Sequence, residues 1–308
     1  MAEIVIAEFM DEGIAREILC DFDVIYEPSL VDDRQALLTS LSDARAIIVR
    51  NRTQVDEELL DHGPGIKVVG RLGVGLDNID LQACEARNVA VCPATGANDI
   101  AVAEYTITAA LILLRGVWNA SESMVAGEWP RTRMMGCEAS GKKFGLIGFG
   151  SISRQVAARA RALGMVVSAF DPYLSADDPA WAETDAVTLS ELAERCDVIS
   201  AHVPLTDETH HLLNADFIAK MREGAILINT ARGGVVDEQA VIAALRANQL
   251  GGAALDVFEL EPMNADAGTQ FDGVPNLLLT PHIAGITEEA NQRVSRVTAQ
   301  NVLEHLSQ

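Results

Sequence analysis

The stretch Lys143-Phe-Gly145-Leu-Ile-Gly148-Phe-Gly150-Ser151-Ile152-Ser153 decides how this chain folds. An apolar run breaks at closely spaced glycines, and a helix-like pattern follows. Gly148 permits a tight turn at the end of a strand. Gly150 lets a diphosphate approach the backbone, where the first N–H groups of a helix, those of Ser151 and Ile152, have no partner of their own. Ser153 stands where a third glycine is usual, and is small enough to keep helix and strand close. The run Ser168-Ala-Phe-Asp171-Pro adds an acid 23 residues after Gly148, the spacing at which a carboxylate meets adenosine ribose hydroxyls. A carboxylate there repels a 2′-phosphate, so the pattern points to NAD over NADP.

On either side of this motif, short β-branched runs alternate with amphipathic stretches. Before it, strands are expected at Ile4–Ala7, Val24–Tyr26, Ala46–Arg50, Lys67–Arg71 and Val89–Cys92. A long apolar-periodic helix follows from Asn98, placed to cap it, to Trp118. A second series then runs through Lys143–Gly148, Met165–Phe170, Val198–His202, Ala225–Asn229, Gly252–Val257 and Leu277–Thr280, and ends in a helix, Thr287 to Leu306. Two βαβ series imply an α/β protein of two doubly wound parallel-sheet lobes. The last helix has no strand after it and is expected to return to the first lobe. The expected domains are 1–97 with 284–308, and 98–283.

Composition excludes other classes. Of 308 residues, 49% are apolar, and 45 acids face 23 bases for a net charge of −22. Such a field repels phosphate backbones and gives no footing for nucleic acid. Dense surface carboxylate also suits a salty cytosol. The five cysteines (Cys20, Cys84, Cys92, Cys137, Cys196) are scattered and form no C-x-x-C pair, as expected for reduced thiols without a metal cluster. The start carries no basic signal region, and the longest apolar stretch, Ile107 to Leu114, is well short of the roughly 20 residues a bilayer span needs. A cytoplasmic protein that does not span a membrane is expected.

Three later segments fall at expected strand ends: Ile228-Asn-Thr230-Ala231-Arg232-Gly-Gly-Val-Val-Asp237, Ala254-Leu-Asp256-Val-Phe-Glu259-Leu-Glu261-Pro, and Thr280-Pro-His282-Ile-Ala284. Ligands gather at the carboxyl ends of strands in open α/β sheets. An Arg there offers a bidentate carboxylate clamp, a Glu can orient a histidine, and a His transfers protons near neutrality. Glu259 and Glu261 compete for the second role.

With Gly70-Arg71-Leu72-Gly73-Val74-Gly75-Leu-Asp77, Pro93-Ala-Thr-Gly96-Ala-Asn98 and His202-Val-Pro204-Leu-Thr206, these segments make the chain resemble the D-isomer-specific 2-hydroxyacid dehydrogenases over nearly its whole length. The resemblance implies a flavodoxin-like substrate domain, a Rossmann NAD-binding domain, and hydride transfer between NAD and a 2-hydroxy acid. It assigns Arg232, Glu261 and His282 as catalytic. It assigns Gly148, Gly150, Ser151, Ile152, Asp171, His202, Pro204, Thr209, Thr230, Ala231, Arg232, Asp256, His282 and Ala284 to the cofactor. Leu72, Gly73, Val74, Gly75 and Asn98 fall to the substrate, whose carboxylate the N–H groups near Val74 and Gly75 would hold. A homodimer built on the cofactor domains is also implied, with Arg131–Lys143 near its interface.

Arginines gather in the remaining loops: Arg50 and Arg52 in Val49-Arg-Asn-Arg-Thr-Gln, Arg71, and Arg131 and Arg133 in Glu128-Trp-Pro-Arg-Thr-Arg. In so acidic a chain they suggest a substrate with a second anionic group. The first-lobe pattern looks most like the sulfolactate branch of the family, making 3-sulfolactate/sulfopyruvate the lead pair, with 3-phosphoglycerate and glycerate/hydroxypyruvate behind it. The phosphoglycerate enzymes often add C-terminal regulatory domains, for which 308 residues leave no room. A family of NADH-sensing corepressors shares the fold and triad. It stands as the non-enzymatic alternative.

Overall fold

A computed structural model describes residues 2–118 and 120–307. The chain divides into two compact units, Met1–Asn98 with Ile286–Gln308, and Asp99–Gly285, beside the expected boundaries at 97/98 and 283/284.

The first unit carries β1 (Ile4–Ile6), β2 (Val24–Tyr26), β3 (Ala46–Val49), β4 (Val68–Arg71) and β5 (Ala90–Pro93), all parallel in the order β2-β1-β3-β4-β5. This is the flavodoxin-like order. Alternate residues face opposite sides of the sheet, and both sides are covered. Val5, Ile47 and Val69 join one apolar cluster, while Ile4, Ile6, Ile48 and Val68 join another. The C-terminal helix Glu288–Leu306, capped by Thr287, supplies Val294, Ala299, Val302 and Leu306 to the second cluster. Gly70 makes room for it, since a Cβ there would lie 2.7 Å from Val302 and 2.9 Å from Thr298.

The second unit carries β6 (Lys143–Ile147), β7 (Val166–Phe170), β8 (Asp185–Ala186), β9 (Val198–Ala201), β10 (Ala225–Asn229), β11 (Leu250–Leu255) and β12 (Leu277–Leu279). They form one parallel sheet in the order β12-β11-β10-β9-β6-β7-β8. The chain runs outward through β7 and β8, then returns to the other side of β6. The switch point therefore lies between β6 and β9, where ligands bind in sheets of this kind.

Three details differ from the sequence expectation. The two-residue strand β8 is too short to leave a periodic signal. The long helix ends at Arg115, not Trp118, because Gly116 follows at φ +60°, a left-handed terminus glycine adopts readily. Asn98 does not cap that helix. Its Oδ1 is buried with no hydrogen-bond partner.

Candidate active site

In the second unit, the residues expected to meet cofactor or reacting groups lie in the segments that follow the carboxyl ends of strands. Gly148 follows β6, Asp171 follows β7, His202 follows β9, Thr230 to Arg232 follow β10, Asp256 follows β11, and His282 lies past β12.

The first two glycines differ in what requires them. Gly148 has φ +82°, and a Cβ on it would lie 2.6 Å from the His202 carbonyl oxygen, so the fold itself excludes a side chain. At Gly150 a Cβ would meet nothing within 4 Å. Gly150 also heads the helix Ser151–Ala162 with no side-chain cap, which leaves its first N–H groups without a capping side chain. Ser153 is fully buried and donates to the Gly148 carbonyl (2.7 Å), a bond the usual glycine could not make. Asp171 accepts the Phe149 N–H (2.8 Å) and the Tyr173 N–H (2.9 Å), fixing it beside the glycine turn. Thr230 Oγ1 is buried with no partner in the chain, a state polar groups rarely hold unless a ligand completes them. An uncapped helix start, a glycine beside space a side chain would fill, an orphaned hydroxyl and an acid at the next strand together fit NAD.

His202 shares a 3.0 Å hydrogen bond with Ser200, and burial lowers its pKa to about 4, so the ring is neutral at pH 7. Thr209 Oγ1 donates to the Pro204 carbonyl (2.6 Å) and stiffens the turn after His202.

Geometry separates the two candidate glutamates. His282 Nδ1 lies 2.7 Å from Glu261 Oε2, leaving Nε2 for a substrate, whereas Glu259 instead pairs with His211 (2.9 Å). Burial pushes the Glu261 carboxyl up. Hydrogen bonds from His282 and the Phe258 N–H, with the charges of His282 and Arg232, outweigh it and hold the group below its usual value. Arg232 Nη1 donates to the Ala231 carbonyl (2.6 Å), and Asn229 anchors both the Arg232 carbonyl and the Ala231 N–H.

His282 has φ +55°, which costs a non-glycine residue roughly 1–3 kcal/mol unless neighbours enforce it. Asp256 is the enforcer. Its carboxylate accepts from Thr280 Oγ1 (2.6 Å), the Ile283 N–H (2.8 Å) and the Ala284 N–H (2.8 Å), and its carbonyl accepts the His282 N–H (2.8 Å). Tyr105 in turn hydrogen-bonds Thr280. Asp256 is only 1% exposed, so its side chain faces this loop.

In the first unit the arginines separate. Arg50 is half-buried: Nη2 donates to Asn291 (2.7 Å), the guanidinium lies over Phe9, and Nε is buried without a partner. Glu8, 5% exposed, accepts the N–H groups of Arg50 (2.9 Å) and Thr53 (2.9 Å), with longer bonds from Asn51 and Arg52, so one buried carboxylate shapes the whole turn. Arg71 folds over Gly73, where a Cβ would clash with its guanidinium, and donates to the Leu72 carbonyl (2.9 Å). Leu72 is buried, while Val74 is exposed beside Gly75. Arg52 instead pairs with Asp32 on the exposed surface.

Arg131 and Arg133 belong to the second unit. Arg131 is exposed, and Arg133 binds Glu128 (2.9 Å) and lines a cavity of about 450 Å³ with Gly224, Gly251 and Asn276. Those three lie at the amino ends of β10, β11 and β12, the edge of the sheet opposite Arg232, Glu261 and His282. The structure does not bring Arg133 to that group. Sequence reasoning also passed over Glu8 and Glu238. The available signal was an acid beside apolar strand or helix residues, which is a weak one.

A family model for the D-isomer specific 2-hydroxyacid dehydrogenase NAD-binding domain matches residues 107–284. The chain belongs to this family. It is 50% identical to an (S)-sulfolactate dehydrogenase of Chromohalobacter salexigens, over 98% of this chain and 97% of that one. It is 38% identical to a D-3-phosphoglycerate dehydrogenase of Bacillus subtilis, covering 96% of this chain but 55% of the relative. The D-lactate dehydrogenase of Aquifex aeolicus, solved with NAD and lactic acid, superposes with a TM-score of 0.85 at 28% identity, over 99% of this dehydrogenase and 95% of that chain. The protein is an NAD-dependent D-2-hydroxyacid dehydrogenase. Among the described residues no helix is long and apolar enough to cross a membrane, and no group of His, Cys, Asp or Glu could hold a metal ion.

Proposed function

We propose that this dehydrogenase interconverts (S)-3-sulfolactate and sulfopyruvate. The 50% identity to a sulfolactate dehydrogenase over almost all of both chains carries the reading. The S label agrees with a D-specific family, because sulfur outranks the carboxylate in naming and reverses the descriptor without changing the hand. Held by the Gly148–Gly150 turn, Asp171 and Thr230, NAD would supply the hydride acceptor for C2 in oxidation, and NADH the donor in reduction. His282 Nε2 takes the hydroxyl proton during oxidation and gives it to the carbonyl oxygen during reduction. Glu261, on Nδ1, sets which ring nitrogen is free for that transfer. Arg232 holds the substrate carboxylate with its planar fork. His202, neutral through burial, completes the cofactor wall without adding charge.

For the distal sulfonate, the half-buried Arg50, with an unmet Nε, is the first candidate and Arg71 the second. Arg52, engaged with Asp32 at the surface, is not assigned this role. A homodimer through the second unit is part of the proposal. Trp129 is 72% exposed, Met135 79% and Val125 91%, a concentration of bare apolar side chains that a partner would cover. Sedimentation at low concentration should then give a species near twice 33.0 kDa.

The deciding experiment is a panel of (S)-sulfolactate, D-3-phosphoglycerate, D-glycerate, D-lactate and malate assayed with NAD. Sulfolactate is expected to have the highest kcat/KM. A higher value for phosphoglycerate or glycerate would replace it as substrate, and no turnover of any acid would favour an NADH-sensing binding protein.

A further inference from the structure

We propose that Glu238 is a positioning residue of the reaction, fixing the 258–261 turn from which Glu261 reaches His282. The proposal rests on the reading of Glu261 and His282 as the proton-transfer pair. Glu238 opens the helix Glu238–Arg246, yet it is only 6% exposed and its carboxyl points back towards the active edge. Oε1 accepts the Glu259 N–H at 2.8 Å, and Oε2 accepts from Gln270 at 3.0 Å. One residue earlier, the Phe258 N–H goes to Glu261 itself, at 2.9 Å. Two consecutive peptide N–H groups are thus held by two carboxylates, one oriented at His282 and one built into the frame.

The turn is braced from the other side too. A Cβ on Gly233 would lie 2.0 Å from the Phe258 carbonyl, so the loop after Arg232 rests directly on this turn. Glu259 reaches His211, whose own N–H bonds the Gly234 carbonyl at 2.7 Å. These contacts close a ring that joins the Arg232 loop to the Glu261 loop, and Glu238 is its buried charged member. Burial pushes the Glu238 carboxyl up despite these hydrogen bonds, but either protonation state keeps an oxygen for the Glu259 N–H. Reach, rather than charge, is the property required.

That requirement separates the proposal from a purely local role, in which an acid in the first turn offsets the helix dipole. Glu238→Asp keeps the charge at the helix start but retracts the oxygens from the Glu259 N–H. Glu238→Gln loses the charge but keeps an acceptor at the right distance. The assay is carbonyl reduction by the full-length protein with NADH, using whichever 2-oxo acid the wild type reduces fastest, so an error in the assigned substrate leaves the comparison standing. NADH affinity by fluorescence titration and the melting temperature are measured alongside.

Positioning predicts that Glu238→Asp loses roughly 10–100-fold in kcat, as small misplacements of reacting groups do, with NADH affinity unchanged. It also predicts that the acid limb of the pH–rate profile moves to higher pH, because a loosened turn gives up the contacts that hold the Glu261 carboxyl low. Glu238→Gln should keep most of the wild-type kcat and its acid limb. The proposal is overturned if Glu238→Asp matches wild type while Glu238→Gln is the impaired variant. It is equally overturned if both lower the melting temperature with kcat and the acid limb unmoved.

Discussion

The carboxyl edge of the seven-stranded sheet and the arginine-bearing loops of the first unit are built on one device but finished differently. In both, a buried carboxylate gathers backbone N–H groups and fixes a loop: Asp256 for the His282 loop, Glu8 for the turn at Arg50. Around His282 nearly every polar group is then satisfied within the chain, as preorganised chemistry demands. In the first unit the satisfaction stops short, with Arg50 Nε, Thr53 Oγ1 and Asn98 Oδ1 all buried without partners. Satisfied groups hold geometry, and unsatisfied ones wait for a ligand. Under the proposed function, His282 and Glu261 move the proton and Arg50 is the candidate that chooses the acid.

The largest effect should follow from breaking the chemistry. His282→Ala is expected to lose on the order of 10²–10⁴-fold in kcat, the usual worth of a general acid–base group. NADH binding, followed by fluorescence, should survive. A variant that retained more than a tenth of the wild-type rate would move the reaction elsewhere.

Next come the two glycines. Gly148→Ala forces a side chain into a left-handed turn against the His202 carbonyl and should destabilise the unliganded protein by at least roughly 1–3 kcal/mol. Gly150→Ala meets no neighbour and should leave the unliganded melting temperature within a cap's worth, about 1 kcal/mol. Its cost should appear when NAD is titrated. Equal effects on the unliganded protein would remove the argument that Gly150 is kept for a ligand.

A further effect concerns acid. His202 has a folded pKa of about 4 against an ordinary 6.5, so between these values the unfolded chain binds a proton the folded chain refuses. Stability therefore falls as pH drops from 6.5 towards 4, by on the order of 3 kcal/mol in all. His202→Asn should flatten that decline in melting temperature measured from pH 7 to 4.5. An unchanged slope would assign the acid sensitivity to other groups. Smallest of all, Arg52→Ala should alter neither stability nor the ratio of sulfolactate to lactate turnover, since its pair with Asp32 is solvent-exposed.

Much of the fold and of the site is legible in the sequence. The glycine turn, Asp171 and the strand-end positions of Arg232 and His282 follow from local rules, because a βαβ unit with a phosphate-binding turn dictates its own spacing. Glu261 and Glu259 were not separable by local rules alone, since both lie two residues apart on one loop. Only the fold sends Glu261 to His282 and Glu259 to His211. The five arginines looked alike in sequence because charge carries no address. Asp32, brought near by the fold, and Glu128, five residues back in the same loop, occupy Arg52 and Arg133, and burial sets Arg50 apart. Asn98 misled for a related reason: a residue type that caps helices also hydrogen-bonds ligands, and its unpartnered Oδ1 is not spent on a cap.

The division of labour between the His282–Glu261 pair and Arg50 is tested most directly by kcat/KM for (S)-sulfolactate and for D-lactate, with NAD, in wild type and Arg50→Ala. The account predicts that wild type favours sulfolactate and that the variant loses about 2–5 kcal/mol of transition-state binding for it, the cost of leaving a buried charge unpaired. Lactate, which has no distal anion, should be turned over almost as before. A loss of the same factor for both acids would contradict the account, because Arg50 would then support the reaction itself and not the choice of substrate.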